Sequence, residues 1–349
     1  MASRTADPAL DALLLPFAQR SLAWPDAPVL FLRARDGAAL RQFPLAHLVC
    51  EQSFRPDAEW LERAGLRVVA DAAADGARYP LVLVLPPRQR EEARALLARA
   101  VRLAAPGGIV VAAMTNNEGA KSGEADLKQL AGLAGTLTKF HCRTFWTPPL
   151  HAAQDAALLD AWSALDAPRR IEGGRYLSRP GVFAWNRVDP ASALLVECLP
   201  TDIAGHGADL GAGWGFLSLS LLERCPGIAA LDLYEAEARA LALAKQNLAG
   251  IASPAALDFR WHDVTAGLPA RYDFIVSNPP FHTQSRADRP DIGQRFITAA
   301  ADALKPGGRL WLVANRHLPY EQALNDRFGE VRVAGERDGF KVIAATKAR

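Results

Sequence analysis

Residues Arg271–His282 read RYDFIVSNPPFH, a run of apolar and β-favouring side chains ending in Asn278-Pro279-Pro280-Phe281. Such a run predicts a buried strand that delivers a rigid polar turn to its carboxyl end. Two consecutive prolines fix φ and remove two backbone donors. The corner is therefore rich in acceptors, with the Asn278 side-chain oxygen and the Pro279 carbonyl beside the aromatic face of Phe281. A planar group bearing an NH2 suits it, because both hydrogens can be accepted while the ring stacks on the phenylalanine. An ordinary strand-ending turn would use the same residues, so the rest of the chain decides.

The frame occurs twice. YPLVLVLPP at Tyr79–Pro87 matches YDFIVSNPP at Tyr272–Pro280, and LAAPGGIVVAAMTN from Leu103 matches LKPGGRLWLVANR from Leu304. In each half a tyrosine opens the strand, a double proline closes it and PGG begins the next, with an offset of roughly 200 residues between halves. Strand-like PVLFLRA, RVVAD and YPLVLVLPP, then the helical RQREEARALLARAVRLAA, predict parallel βαβ units. We read an α/β chain built by tandem duplication, with domains 1–168 and 169–349. The copies differ where chemistry would sit. Leu85 stands where the second half has Asn278, and the first strand runs into Arg33-Ala34-Arg35-Asp36-Gly37 with no glycine cluster.

In the second half, Ala208-Asp209-Leu210-Gly211-Ala212-Gly213-Trp214-Gly215 joins a short strand to the helical FLSLSLLERC. Glycines there let backbone approach a ligand, and the helix start offers free N–H groups. The spacing is GxGxG rather than the dinucleotide GxGxxG, which argues against NAD. Three acids accompany the loop. Asp209 sits at the end of the first strand, Glu235 ends ALDLYE where a carboxylate can accept both ribose hydroxyls, and Asp263 ends LDFRWHD where it can take an adenine amino group. With Asn278 they fall at the carboxyl ends of successive strands, where open α/β sheets build ligand sites. This predicts a nucleoside pocket. Asp232 lies inside the second strand and is the lesser candidate. His282 could orient a substrate or merely cap, and His141 and Cys142 have no partner that would make a nucleophilic pair.

The chain has 349 residues, with 40 Lys and Arg against 38 Asp and Glu, so its net charge of +2 sets up no strong overall field. Arg169–Arg187, RRIEGGRYLSRPGVFAWNR, is the most basic stretch, with five arginines, one acid and Tyr176, Phe183 and Trp185 between them. It reads either as a solvated interdomain linker or as a phosphate-contacting strip with rings for bases. Cys50, Cys142, Cys198 and Cys225 are far apart and form no CxxC pair, so neither disulfides nor a metal site is expected. An amino terminus interrupted by acids and the lack of a long apolar run point to a cytoplasmic protein with no membrane partner.

DLGAGWG, Glu235, Asp263 and NPPF resemble motifs of class I S-adenosylmethionine-dependent methyltransferases, with NPPF typical of those that methylate a planar nitrogen. PGVFAWNRVD, NPPFH, LKPGGRLWLVANRHLPYE and the terminal GFKVIAATK, with the duplicated first half, resemble RsmC-like small-subunit ribosomal RNA guanine-N2 methyltransferases over nearly the whole chain. The resemblance implies two tandem Rossmann-like methyltransferase domains, the first degenerate, the second catalytic on a predominantly parallel seven-stranded sheet. It implies S-adenosylmethionine as cofactor, held by Asp209, Gly211, Gly213, Gly215, Glu235, Asp263 and Asn278. It also implies that Asn278, Pro279, Pro280 and Phe281 act on the N2 of a guanine in ribosomal RNA or the small ribosomal subunit. Ala212 and Trp214 replace the family's usual Cys or Ser and small residue, and Glu235 its commoner Asp. Large-subunit guanine-N2 methylation, protein-glutamine N5 methylation and a non-catalytic RNA-binding assembly role are the competing readings.

Overall fold

The computed structural model describes residues 7–74, 76–151, 155–280 and 290–349. It divides into two compact units, Met1–Ala167 and Pro168–Arg349. The first carries helices α1 (Pro8–Ala18), α2 (Arg55–Arg63), α3 (Arg90–Leu103), α4 (Ala120–Ala131) and α5 (Ala156–Ser163). Its strands are β1 (Val29–Leu32), β2 (Leu48–Glu51), β3 (Arg67–Val69), β4 (Tyr79–Val84), β5 (Ala104–Thr115), β6 (Gly135–Lys139) and β7 (Cys142–Trp146). They form one sheet in the order β3-β2-β1-β4-β5-β7-β6, parallel except where β7 pairs with β5 and β6.

The second unit begins with a small antiparallel ribbon, β8 (Arg169–Ile171) and β9 (Tyr176–Ser178). Then come α6 (Pro190–Cys198), β10 (Ala204–Leu210), α7 (Phe216–Arg224), β11 (Gly227–Glu235), α8 (Ala238–Leu248), β12 (Ala256–Trp261) and β13 (Tyr272–Ser277). α9 (Pro290–Ala303), β14 (Leu304–Asn315), α10 (Glu321–Asn325), β15 (Glu330–Arg337) and β16 (Phe340–Thr346) complete it. Its sheet order, β12-β11-β10-β13-β14-β16-β15, repeats that of the first unit strand for strand. Two tandem α/β domains with the same seven-stranded topology are thus present.

Period-two burial explains the layers. In the first unit Leu30, Leu32, Val82 and Val84 face α3 and α4, while Phe31, Leu81 and Leu83 face α1. In the second, Leu231, Leu233, Phe274 and Val276 meet α6, α7 and α8, and Tyr234, Tyr272 and Ile275 meet α9. Strands covered on both faces read as near-continuous apolar runs, which is why VLVL and DFIV stood out.

The repeated PGG has a structural cause that places it inside a strand rather than at its start. β5 and β14 both begin before it, and the register slips between Tyr79 and Leu81 and again between Tyr272 and Phe274. Gly107 and Gly307 take φ of 77° and 76°, and a Cβ on Gly108 would stand 2.9 Å from the Tyr79 carbonyl. Each copy therefore needs glycine at the same bulge.

Candidate functional site

Four strand ends come level in the second unit. Leu210 of β10 pairs with Tyr234 of β11 and with Ser277 of β13, and Glu235 pairs with Trp261 of β12. One residue further on lie Gly211, Glu235, His262 and Asn278. The Gly211 and Ala212 N–H groups donate to the Tyr234 carbonyl at 2.9 and 3.0 Å, which turns the chain sharply out of the sheet. A Cβ on Gly211 would lie 3.8 Å from the Asn278 carbonyl oxygen, so the loop and the NPP corner are neighbours.

The three loop glycines do different things. Gly213 has φ of 56°, and a Cβ there would meet nothing within 4 Å among the described residues, so its face is open to a ligand. Gly215, at φ 92° before α7, would push a Cβ to 2.8 Å from Leu248, so packing against α8 already accounts for it. Trp214 points away from the strand ends. It is buried beside Tyr176, at a ring separation of 5.0 Å, in an apolar cluster with Val182, Leu219 and Leu243.

Glu235 holds the loop. Its Oε2 accepts the Gly213 N–H at 2.7 Å and its Oε1 the Glu237 N–H at 2.8 Å. Burial pushes its carboxyl up from the ordinary range, while the N–H groups of Glu237 and Gly213 pull it back. Asp209 is fully buried. Ser218 Oγ donates to its Oδ2 at 2.7 Å, and its Oδ1 has no partner among the described residues. Burial pushes its pKa up to about 7, against the Ser218 hydrogen bond and with a smaller contribution from nearby Glu235. Asp263 stands two residues beyond β12, where its Oδ1 accepts both the N–H and the hydroxyl of Thr265 and its second oxygen has no partner among the described residues. Asp232 is committed elsewhere. Tyr272 donates to it at 2.7 Å, and His206 and Arg260 approach to 3.0 and 3.3 Å.

Asn278 is half-buried and its amide nitrogen is fully used. Nδ2 donates to Asp189 Oδ2 at 3.0 Å and to Ser192 Oγ at 2.8 Å, which leaves its oxygen as the group still able to accept. The sequence reading did not find Asp189 and Ser192. They lie 89 and 86 residues away, and the only local signal was an Asp-Pro helix start. Pro279 is buried and Pro280 exposed, while Phe281 and His282 lie outside the described residues.

The basic stretch is not an extended linker. Asn247 of α8 accepts the Leu177 N–H at 2.7 Å and donates to the carbonyls of Leu177 and Trp214, and Arg239 donates to the Pro180 carbonyl. Tyr176 and Val182 are buried, Arg175 pairs with Glu223, and Arg169 lies over Trp185. Of the three rings only Phe183, 66% exposed, is turned to solvent.

The first unit closes the same region. Glu51 ends β2 as Glu235 ends β11, an acid that the sequence reading missed because β2 is four residues long, too short to show a period. Here it is consumed: both Glu51 oxygens bind Arg99, and Oε2 also accepts the Ala72 N–H at 2.8 Å. Arg33, at φ 53°, occupies the first loop position and pairs with Glu92 at 3.1 Å. Only the short 3-10 turn Leu40–Gln42 lies between β1 and β2, where the second unit has α7 between β10 and β11. Leu85 is buried.

Among the described residues no group of three or more His, Cys, Asp or Glu side chains could hold a metal ion, and no helix is long and apolar enough to cross a membrane.

Residues 173–344 match the family model of the methyltransferase small domain. The ribosomal RNA small subunit methyltransferase C of Alcanivorax borkumensis is 35% identical over 192 residues, 54% of this chain and 56% of that protein. The chain thus spans about half the length of that relative. The protein of the same name from Pseudomonas paraeruginosa is 31% identical over 332 residues, 92% of this chain and 95% of its own length. A solved structure of a T. thermophilus 16S rRNA N2 G1207 methyltransferase, in complex with AdoMet and guanosine, superposes with a TM-score of 0.80 at 27% identity, covering 98% of this chain and 92% of that one.

Proposed function

Because the chain belongs to the ribosomal RNA small subunit methyltransferase C family, we propose that it transfers a methyl group from S-adenosylmethionine to the exocyclic N2 of a guanine in small-subunit ribosomal RNA. The observation that carries this reading is the Asn278 amide, whose nitrogen is held by Asp189 and Ser192 so that its oxygen is left to accept, on a residue whose backbone carbonyl lies beside the glycine loop. Catalysis is assigned to 169–349. The first domain, 1–168, keeps the fold without a site and serves as scaffold or RNA-positioning surface.

The residues present fit the methyl donor. The open face at Gly213 and the neighbouring Gly211 admit its methionine end, Glu235 accepts the ribose hydroxyls, and the second Asp263 oxygen accepts the adenine amine. The unmatched Asp209 oxygen lies buried behind the loop, where a cationic ligand would stabilise its charge. When bound, S-adenosylmethionine supplies an electrophilic methyl on sulfonium sulfur: an N–C bond forms, the C–S bond breaks with its electrons left on a neutral thioether, and the amine loses one proton to water.

A guanine N2 is a poor nucleophile because its lone pair is delocalised into the ring. Asn278 Oδ1 and the Pro279 carbonyl each accept one N2 hydrogen, which favours pyramidal nitrogen with its lone pair aimed at the methyl group. The contribution is positioning and electrostatics rather than acid–base catalysis. Phe281 is assigned the stacking face and Pro280 the stiffness of the corner. Base pairing hides N2, so the guanine must be unpaired or flipped. Such a substrate places the protein in the cytoplasm. Incubation with methyl-labelled cofactor and small subunits from a strain lacking the gene, followed by nucleoside analysis, should yield labelled N2-methylguanosine. Label in any other nucleoside or in protein would overturn the reading.

A further inference from the structure

We propose that Asp189 and Ser192 are positioning residues for Asn278, setting its side-chain amide so that the oxygen, rather than the NH2, faces the reacting amine. The inference rests on the methyl-transfer reading above. An asparagine amide is nearly symmetric in shape, and a half-turn exchanges its acceptor for two donors. Flipped, it would present N–H groups to a substrate that also offers N–H groups. Asp189 prevents this, since a carboxylate only accepts and a flipped amide would oppose oxygen to oxygen across the present 3.0 Å contact. Asp189 is itself fixed as the N-cap of α6, where its Oδ2 also accepts the Ser192 N–H at 2.9 Å. Ser192 Oγ takes the second Asn278 hydrogen at 2.8 Å.

The first unit supplies an internal control. Asp7 caps α1, Pro8 follows, and the Asp7 side chain accepts the Leu10 N–H at 3.2 Å, which is the same cap on the same helix. The residue at the Ser192 position is Leu10, and the residue at the Asn278 position is Leu85. Both leucines are buried in one apolar cluster. The copy with no acceptor amide thus keeps the cap and lacks the hydroxyl. If Ser192 served only the fold, the same helix start in the first unit would have the same need.

The test uses the full chain on small ribosomal subunits under single-turnover conditions. Ser192→Ala should lower the methyl-transfer rate about tenfold, the scale of one hydrogen bond to the reacting arrangement. Cofactor affinity and the RNA KM should stay within about twofold, and Ser192→Thr, which keeps the hydroxyl, should restore the rate. Asn278→Asp should lose activity, because two carboxylates then face each other. Adding Asp189→Asn to it, which keeps a competent cap and supplies a donor, should recover about tenfold. A Ser192→Ala rate within twofold of wild type, or no recovery in the double variant, overturns the inference alone. A wild-type chain that methylates no guanine overturns the methyl-transfer reading and the inference with it.

Discussion

Replacing Asp209 by Asn in the ligand-free protein should change how stability depends on pH. The carboxyl is fully buried, is held by one hydroxyl and has one oxygen without a partner among the described residues. Its pKa is raised from 3.8 to about 7, so the folded state holds this proton more tightly than the unfolded chain does. Below about pH 4 both states are protonated and the site is not penalised; through the window from about 4 to 7 the unfolded state ionises first and stability is lost, and above 7 the loss is complete. Three pKa units at ~1.4 kcal/mol each set a ceiling of roughly 4 kcal/mol. For a unit of this size that is on the order of 10 °C in melting temperature. Asn is neutral throughout and can still accept from Ser218. Its unpartnered NH2 adds a constant offset, so the slope with pH is diagnostic. Thermal denaturation at several pH values should show the variant gaining on wild type by up to about 10 °C between pH 4 and 8. Parallel curves would show that Asp209 ionises in the ordinary range, and the burial argument would fail.

Three further outcomes follow from the same geometry. Asn278→Ala should leave cofactor affinity nearly unchanged by calorimetry while turnover falls roughly 100-fold or more, and turnover within a few-fold of wild type would make the corner merely structural. Glu235→Ala should weaken cofactor binding by about 1 to 3 kcal/mol, and more than Glu235→Gln does, because Ala also releases the Gly213 and Glu237 N–H groups; unchanged affinity would remove Glu235 from the site. Titration should give one bound cofactor per chain, and a second equivalent that survives Glu235→Ala would contradict the closure of the first unit.

Much of this was legible as pattern. The paired YxxxxxxPP and PGG segments carried the duplication because both copies need the same doubly covered strands and the same bulge. Glu235 and Asn278 were readable because each follows an apolar run directly, so strand end and side chain are given together. Three things were hidden. Glu51 sits on a strand too short to show a period, and its capture by Arg99 joins residues 48 apart. Asp189 and Ser192 approach Asn278 only because the start of α6 meets the turn after β13, which no local spacing encodes. Trp214 stood out as a departure from the small residue usual in the glycine loop and is the floor on which Tyr176 and the basic ribbon pack. Composition announced the charge of that ribbon but not that its alternate residues are buried.

The closed region of the first unit also supports the fold around it. Reopening it one substitution at a time runs uphill at every step. Removing Arg99 leaves the Glu51 carboxylate without its counter-ion, and placing Asn at Leu85 alone puts an amide against the apolar Leu10. Removing the side chain of Arg33 leaves Glu92, 5% exposed, without that cation. These contacts therefore tie the strand ends of the first unit to its fold, and freeing them for a ligand would draw on its stability at three separate places.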